Sequence, residues 1–417
     1  MRINKQQWSW IFYDWANSAY GIIVTTAVLP VYFKSIAQAD HVSAASSTAI
    51  WGYANSFATL LVSLLAPFLG ALADYPNFKK KMLNVFCWLG IITTVFLAFV
   101  PASQWRLLLV VYIFSAIGYS ASNLYYDSFL IDVADDKEMN KISTHGYAYG
   151  YLGGVIAFIF FLILQLTGGF GMLDGTGIAR WSFIIAAIWW FVFYIPLQKN
   201  AQQKYSVAPM KNPVKDSIKR VFATIHHIKQ YKQVAWFLVA YFFYIDGVDT
   251  IFTMATAIGM DIGIKTNELM IVMLAVQLIA FPFSIFFGWL ADKTSTRVGI
   301  ILGISVYFII CIYALNLKTS FDFWVLAILV GTSQGGLQAL SRSYFGTIIP
   351  KDSGSEFYGF YNILGKFSAV MGPALVAIVT QMTGKSTIGA ASLSCLFLIG
   401  LVIFLLLPKI VNVSKEA

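Results

Sequence analysis

The sequence is poor in charged residues. Only 11% of its 417 residues are charged, against roughly a quarter in a soluble domain, while 59% are apolar and the mean hydropathy is +0.73. Such a chain has too little polar surface to cover a globule in water, which excludes an ordinary soluble enzyme. The composition is typical of an integral membrane protein.

Residues that carry enzyme or metal chemistry are also scarce. The three cysteines lie in apolar stretches, so neither a disulfide framework nor a C-x-x-C metal site is indicated. The four histidines fall in loops or at a span edge, whereas an intramembrane serine protease needs a histidine in mid-span. No GxGD and no GxxxxGK[ST] motif is present, which argues against an aspartyl protease and against pumping driven by ATP. We expect no enzyme activity, no metal and no cofactor.

The basic balance fits membrane loops better than nucleic acid. Lys and Arg number 28 against 19 Asp and Glu, a formal charge of +9, but no basic run with interleaved aromatics lies outside the loops. We therefore expect a lipid bilayer and a small-molecule substrate as partners, no nucleic acid, and a monomer.

Twelve stretches are apolar and long enough to cross a bilayer, which takes about 20 residues in a helix. We number these predicted spans one to twelve. They cover residues 9–36, 47–74, 83–101, 105–133, 146–167, 180–198, 232–260, 268–292, 298–317, 321–347, 357–384 and 387–408. The chain is thus expected to be an all-α integral membrane protein.

The distribution of Lys and Arg predicts the orientation. With both termini inside, 20 of the 28 basic residues fall in inner segments and six in outer loops. The positive-inside rule then favours an N-in, C-in arrangement. Short tails and compact loops favour a bacterial plasma membrane over a vacuolar one.

The longest connection separates six spans from six. It predicts an N-terminal bundle at 1–198, a cytoplasmic linker at 199–231 and a C-terminal bundle at 232–417. Apolar residues within 216–231 recur at helical spacing opposite Lys219 and Arg220, which fits a helix lying on the inner membrane surface. A solvated linker helix without lipid contact fits equally well.

The two halves share a repeated motif. G-x-L-A-D runs from Gly70 to Asp74 at the inner end of span two and from Gly288 to Asp292 at the inner end of span eight. Glycine lets another helix approach closely, and aspartate at a helix end can accept hydrogen bonds from a neighbouring helix N-terminus. Basic residues follow each copy, namely Lys79 and Lys80 in the first and Lys293 and Arg297 in the second.

Two six-span halves that each carry this motif after their second helix resemble the major facilitator superfamily. The resemblance implies two six-helix bundles, alternating access, and loops that latch the inner side shut. The first copy departs from the family pattern, since Tyr75, Pro76 and Asn77 stand where a basic residue and a glycine are usual.

Longer strings narrow the resemblance. WIFYDWANSAYG in span one, GYAYGYLGG in span five and GGLQALSRSYFGTIIPKDSGSEFYGFYNILGKFSAVMGP in spans ten and eleven look like the branch named after the yeast vacuolar amino-acid effluxers. Its bacterial members are labelled permeases of the unknown major facilitator family. This branch implies export of neutral amino acids.

Polar groups inside the spans are the candidate substrate or proton sites, because they are costly in a bilayer. In the family that the chain resembles, spans one, four, seven and ten line the central cavity. The sequence places polar residues on these spans and on span eleven. They are Asp14, Asn17, Tyr20, Asn123, Asp127, Asp246, Asp249, Gln334, Gln338, Arg342, Tyr361 and Lys366.

Two of these sets repeat between the halves. Asp14 and Asn17 are three residues apart, as are Asp246 and Asp249, so each pair shares a helix face. The carboxylates predict proton carriage or binding of a substrate cation; the alternative is a structural salt bridge or cap. Arg342 suits a substrate carboxylate or, as a rival, pairing with Asp127.

These features favour a secondary transporter that moves a small polar or zwitterionic solute, with amino-acid export and proton coupling as the finer expectation. The alternative is a transporter or flippase for an amphipathic lipid or drug, which the 17% aromatic content allows.

Overall fold

The computed structural model describes residues 2–208, 212–368 and 371–408, without the side chains of 44–45, 228–229, 266–267 and 368. The predicted tail beyond residue 408 and residues 209–211 of the linker lie outside the described residues. Within them the chain is helical, and twelve helical stretches are long and apolar enough to cross a membrane, as predicted.

The spans keep their predicted numbers. The first six are Lys5–Ala39, Ser46–Ala73, Phe78–Leu97, Trp105–Val133, Met139–Gly171 and Gly175–Asn200. The next four are Lys232–Asp261, Glu268–Lys293, Thr296–Asn316 and Ser320–Ile348. Span eleven consists of Gly354–Ser368 and Met371–Thr383, and span twelve covers Ser386–Leu406. A further helix, Pro213–His226, lies in the linker.

Local sequence explains several of the boundaries. Ser43, Asp174 and Ser295 each accept a hydrogen bond from a first-turn amide of the helix that follows, because their short side chains suit an N-cap. At the end of span five the backbone turns left-handed from Gly168 onwards (φ 56°), which agrees with the predicted end at 167.

Span one is not a uniform α-helix. Residues Lys5–Ala19 and Leu29–Ala39 are α-helical, whereas Tyr20–Val28 forms a π-helix. The Thr26 hydroxyl donates to the carbonyl of Gly21, five residues earlier, at 3.0 Å. π-Helical turns are rare and are frequent at functional sites.

The chain divides into two compact units. The first comprises Met1–Asp135, His145–Val214 and Asp352–Phe360, and the second comprises Asp136–Thr144, Lys215–Lys351 and Tyr361–Ala417. Each unit therefore holds most of one half of the chain together with a short segment at the start of span five or span eleven, the equivalent helices of the two halves.

Candidate functional site

In the first unit, the predicted polar residues of spans one and four meet. The Tyr126 hydroxyl donates to Asp14 Oδ2 at 2.7 Å, and Asn17 Nδ2 donates to Asn123 Oδ1 at 2.7 Å. Asp127 lies four residues beyond Asn123 on span four, on the same helix face, and is half-buried. Asp14, Asn17, Asn123 and Tyr126 form one polar cluster.

Tyr20 lies at the start of the π-helix and contacts span four. Its ring stacks on Tyr119 with centroids 4.5 Å apart, and its hydroxyl accepts a hydrogen bond from Ser115 at 3.0 Å. The side chain is buried, so its hydroxyl is available only to groups within the unit.

Glycine on span five allows the backbones around Asp14 to approach. A Cβ on Gly150 would lie 3.3 Å from Asp14 Cβ and 3.3 Å from Ser18 Oγ, while one on Gly153 would lie 2.9 Å from Trp15. Span five therefore packs on the face of span one that carries Asp14.

In the second unit, Asp246 is the most deeply buried acid of the predicted set, with no exposed surface. Its Oδ1 accepts hydrogen bonds from the Gly372 amide at 2.9 Å and from the Thr250 hydroxyl at 3.4 Å. Its Oδ2 is buried and has no hydrogen-bond partner among the described residues.

Asp249 lies one turn further along span seven. It is half-buried and near enough to Lys366 to interact with it electrostatically, while Lys366 itself is exposed. Spans seven and eleven thus bring a carboxylate and an ammonium group into one neighbourhood of the second unit.

The three candidate residues on span ten, Gln334, Gln338 and Arg342, are mostly buried. Gln334 is buried, and its Oε1 has no hydrogen-bond partner within the described part of the chain; Gln338 is half-buried. Arg342 is buried and donates from Nε to the Ser143 hydroxyl at 3.0 Å and from an Nη to the Ser143 carbonyl at 3.1 Å. Tyr361 stacks on Tyr241 with centroids 4.2 Å apart.

At the first G-x-L-A-D copy, Asp74 accepts two hydrogen bonds from a helix N-terminus. The donors are the backbone amides of Ser355 at 2.7 Å and Glu356 at 3.1 Å, in the first turn of span eleven. A Cβ on Gly70 would collide with the Ser355 carbonyl, so glycine permits this contact. The motif predicts an acceptor of this kind.

One residue of the first copy that departs from the family pattern has an unusual backbone conformation. Asn77, one of the three residues that depart from the pattern, has φ 66° at the start of span three. Asparagine tolerates this left-handed conformation better than most residues do.

A buried ion pair lies beside this copy. Lys79 Nζ and Asp132 Oδ2 are 2.7 Å apart, and both side chains are almost fully buried. Asp132 belongs to a polar segment with Asp135, Asp136 and Glu138, a composition that favours a solvated inner loop. For Asp132 this interpretation is wrong, because its carboxylate is buried against the Lys79 ammonium group. Lys80, by contrast, is half-buried.

The start of the linker is attached to the same place. Asp132 Oδ1 accepts hydrogen bonds from the amides of Lys204 and Tyr205, at 2.7 and 3.1 Å. The Gln203 side chain donates to the carbonyls of Ala73 and Tyr75, at 3.2 and 3.1 Å. At the surface, a hydrogen bond to the Asp135 carboxylate raises the pKa of Lys204.

The second copy has different surroundings. A Cβ on Gly288 would collide with Thr144 in the first turns of span five, but Asp292 and Lys293 are exposed. The Arg297 guanidinium donates to carbonyls at the end of span twelve, those of Phe404, Leu405 and Leu407, at 2.6 to 3.2 Å. Arg297 therefore caps that helix, as a cation near a C-terminus does.

Sequence reasoning missed Asp132, Gln203, Thr250 and Ser143. Asp132 and Ser143 lie near span ends, where polar residues are ordinary. Thr250 did carry a signal, since it follows Asp246 by four residues on the same face of span seven.

The family model described as "Vacuole effluxer Atg22 like" matches residues 3–139 and 131–415. The MFS-type transporter YxiO of Bacillus subtilis (strain 168) is 46% identical over 98% of this chain and 96% of its own. Autophagy-related protein 22 of Kluyveromyces lactis is 23% identical over 79% of this chain and 74% of its own.

The fold agrees with these relatives. The crystal structure of the human organic anion transporter MFSD10 matches with a TM-score of 0.74 and 12% sequence identity, covering 97% of this chain and all of that one. The protein is a multi-pass membrane protein, and the family that it resembles contains transporters and not enzymes. The chain belongs to the Atg22-like branch of the major facilitator superfamily.

Proposed function

We propose that the protein is a secondary transporter that exports a small polar or zwitterionic solute, with neutral amino acids as the substrate class. The observation that carries the proposal is the environment of the Asp246 carboxyl group. A carboxyl group that is fully buried in an apolar span, with one oxygen lacking a partner among the described residues, is costly. A proton or a ligand's ammonium group would complete its hydrogen bonding.

A second charge supports a zwitterion. Lys366 is exposed and interacts electrostatically with Asp249, one turn from Asp246. A ligand with separated ammonium and carboxylate groups would find both complementary charges in the second unit. A ligand with only one charge would leave one of these groups unused.

Alternating access is supported by the contact at Asp74. The amides at a helix N-terminus carry partial positive charge, so the Asp74 carboxylate attracts and positions the start of span eleven. We propose that the contact breaks when the inner side opens and that residues 1–198 and 232–417 rock about the linker 199–231. The same proposal places both termini inside and the protein in a bacterial plasma membrane, in accord with the Bacillus relative.

The test is a thermal-stability screen of the purified protein against amino acids, small peptides, organic acids, sugars and lysolipids. A ligand that binds the native state raises its melting temperature by mass action. We expect hits among neutral amino acids. Lys366→Gln should remove them and Asp246→Asn should weaken them, while both variants keep a ligand-free melting temperature close to that of the wild type. Hits confined to sugars or organic acids would contradict the zwitterion assignment.

One observation favours the second candidate, an amphipathic lipid or drug as substrate. An apolar cavity next to Thr250 is lined by Ile251, Met254, Ile258 and Phe323, among other side chains of the second unit. Hits confined to lysolipids or hydrophobic cations would favour this candidate and assign Asp246 and Arg342 structural roles.

A further inference from the structure

The linker helix Pro213–His226 has two faces with different surroundings. Ser217 and Val221 are buried, so this side of the helix packs against the protein. On the adjacent side Val214, Ile218 and Ile225 are 61%, 43% and 50% exposed. At about 3.6 residues per turn these three side chains point in nearly the same direction. They define the apolar stripe of the linker helix, together with Phe222, which is 61% exposed.

Basic residues border the apolar stripe on its outer side. Lys215 and Lys219 follow Val214 and Ile218 by one residue each, and both are exposed. Arg220 adds a third cation, while Asp216 is the one acidic residue of this helix. The helix therefore carries a net positive charge beside an exposed apolar surface.

The helix is also held close to a membrane-spanning segment. It ends at His226, and span seven begins six residues later at Lys232. Exposed apolar side chains next to water are unfavourable, whereas the boundary between headgroups and acyl chains accommodates an apolar stripe with flanking lysines.

We propose that the linker helix binds the surface of an anionic phospholipid bilayer. The apolar stripe enters the acyl boundary, and Lys215 and Lys219 contact the phosphate groups. The apolar side chains of the stripe favour insertion into the bilayer, and the neighbouring lysines favour anionic headgroups. This proposal does not depend on the transported solute.

The experiment is site-directed spin labelling of the full-length protein in lipid nanodiscs. The background replaces the exposed Cys395 with serine; Cys87 and Cys311 are buried and stay. Nitroxides are placed by Ile218→Cys and Ile225→Cys in the stripe and by Ala223→Cys as the matched control, since Ala223 is exposed on the opposite side of the same helix. Accessibility to oxygen and to a water-soluble nickel reagent gives the depth of each label.

In nanodiscs rich in phosphatidylglycerol we expect the two stripe labels to be accessible to oxygen and protected from nickel, and the Ala223 label to be accessible to nickel. In pure phosphatidylcholine, or with Lys215→Gln and Lys219→Gln together, the stripe labels should become shallower. Nickel accessibility at all three sites would overturn the proposal, as would stripe labels protected from both reagents, which would indicate a covering protein. Equal depth in both lipids would overturn the role given to the lysines.

Discussion

Asp74 and Asp292 occupy equivalent positions in the two G-x-L-A-D copies, yet only the first is enclosed. Asp74 is 1% exposed and accepts amides from the first turn of span eleven, whereas Asp292 is exposed. The glycines behave alike, since Gly70 and Gly288 both lie against the start of another span. The repeat therefore preserves the close helix approach in both halves, whereas burial of the carboxylate is a property of the first copy.

The second repeated pattern diverges in the opposite sense. Asp14 on span one is half-buried and hydrogen-bonded to Tyr126, while Asp246 on span seven is fully buried with a free oxygen among the described residues. In the first half, acidic groups have defined partners, including the Lys79 partner of Asp132. In the second half, one oxygen of Asp246 has no hydrogen-bond partner within the described residues. From this difference we propose that the acids of the first half are structural and that Asp246 binds a proton or a ligand.

The largest effect is expected from Asp246→Asn. If the free oxygen takes up the coupling proton, uptake or efflux driven by a pH gradient should fall to the level of protein-free vesicles, while exchange of the solute remains measurable. The assay uses proteoliposomes and a solute found in the thermal screen. Asp14→Asn is the matched control and should retain gradient-driven transport. Loss of transport in the control alone would reverse the comparison between the halves.

Removing Lys79, the ion-pair partner of Asp132, would leave a buried acid without a countercharge in the first half. Lys79→Met leaves that buried carboxylate without its ammonium group, which costs about 3 to 5 kcal/mol for a buried pair. Lys204→Met breaks an exposed pair with Asp135 and should change stability little. Denaturant titration of the detergent-solubilised protein measures the free energy of unfolding of both variants. Equal small losses would mean that the Lys79 pair does not stabilise the unit.

The glycines beside the two acids give a smaller contrast. Gly372→Ala places a Cβ against the Thr250 hydroxyl and 2.8 Å from Asp246 Oδ1, and such overpacking costs about 1 to 3 kcal/mol. Gly150→Ala meets Asp14 Cβ at 3.3 Å, a milder contact that the better helix propensity of alanine, about 1 kcal/mol, offsets. Melting temperatures compare the two variants. A larger loss for Gly150→Ala would show that span five is the tighter contact.

The spans and the paired motifs were predictable because each depends on residues close together in sequence. Span five ends where glycine makes a left-handed turn available, and the Asp74 acceptor follows from a motif at a helix end. The π-helix at Tyr20–Val28 depends on one extra residue per hydrogen-bonded turn and has no comparable sequence signal. Burial of Asp132 depends on Lys79, 53 residues away, so a polar inner segment gave no indication of it.

The smallest contrast concerns two tyrosine hydroxyls. Tyr126→Phe removes a donor from the Asp14 carboxyl group, a loss of about 1 kcal/mol for a partly buried hydrogen bond. Tyr244→Phe removes the contact with Ser341, but the Ser341 hydroxyl still donates to the Leu337 carbonyl at 2.7 Å. Its loss should therefore be smaller than that of Tyr126→Phe in the same unfolding measurement. If Tyr244→Phe were the more destabilising variant, the second half would depend on its polar contacts as strongly as the first, and the division of roles between the halves would have to rest on Asp246 alone.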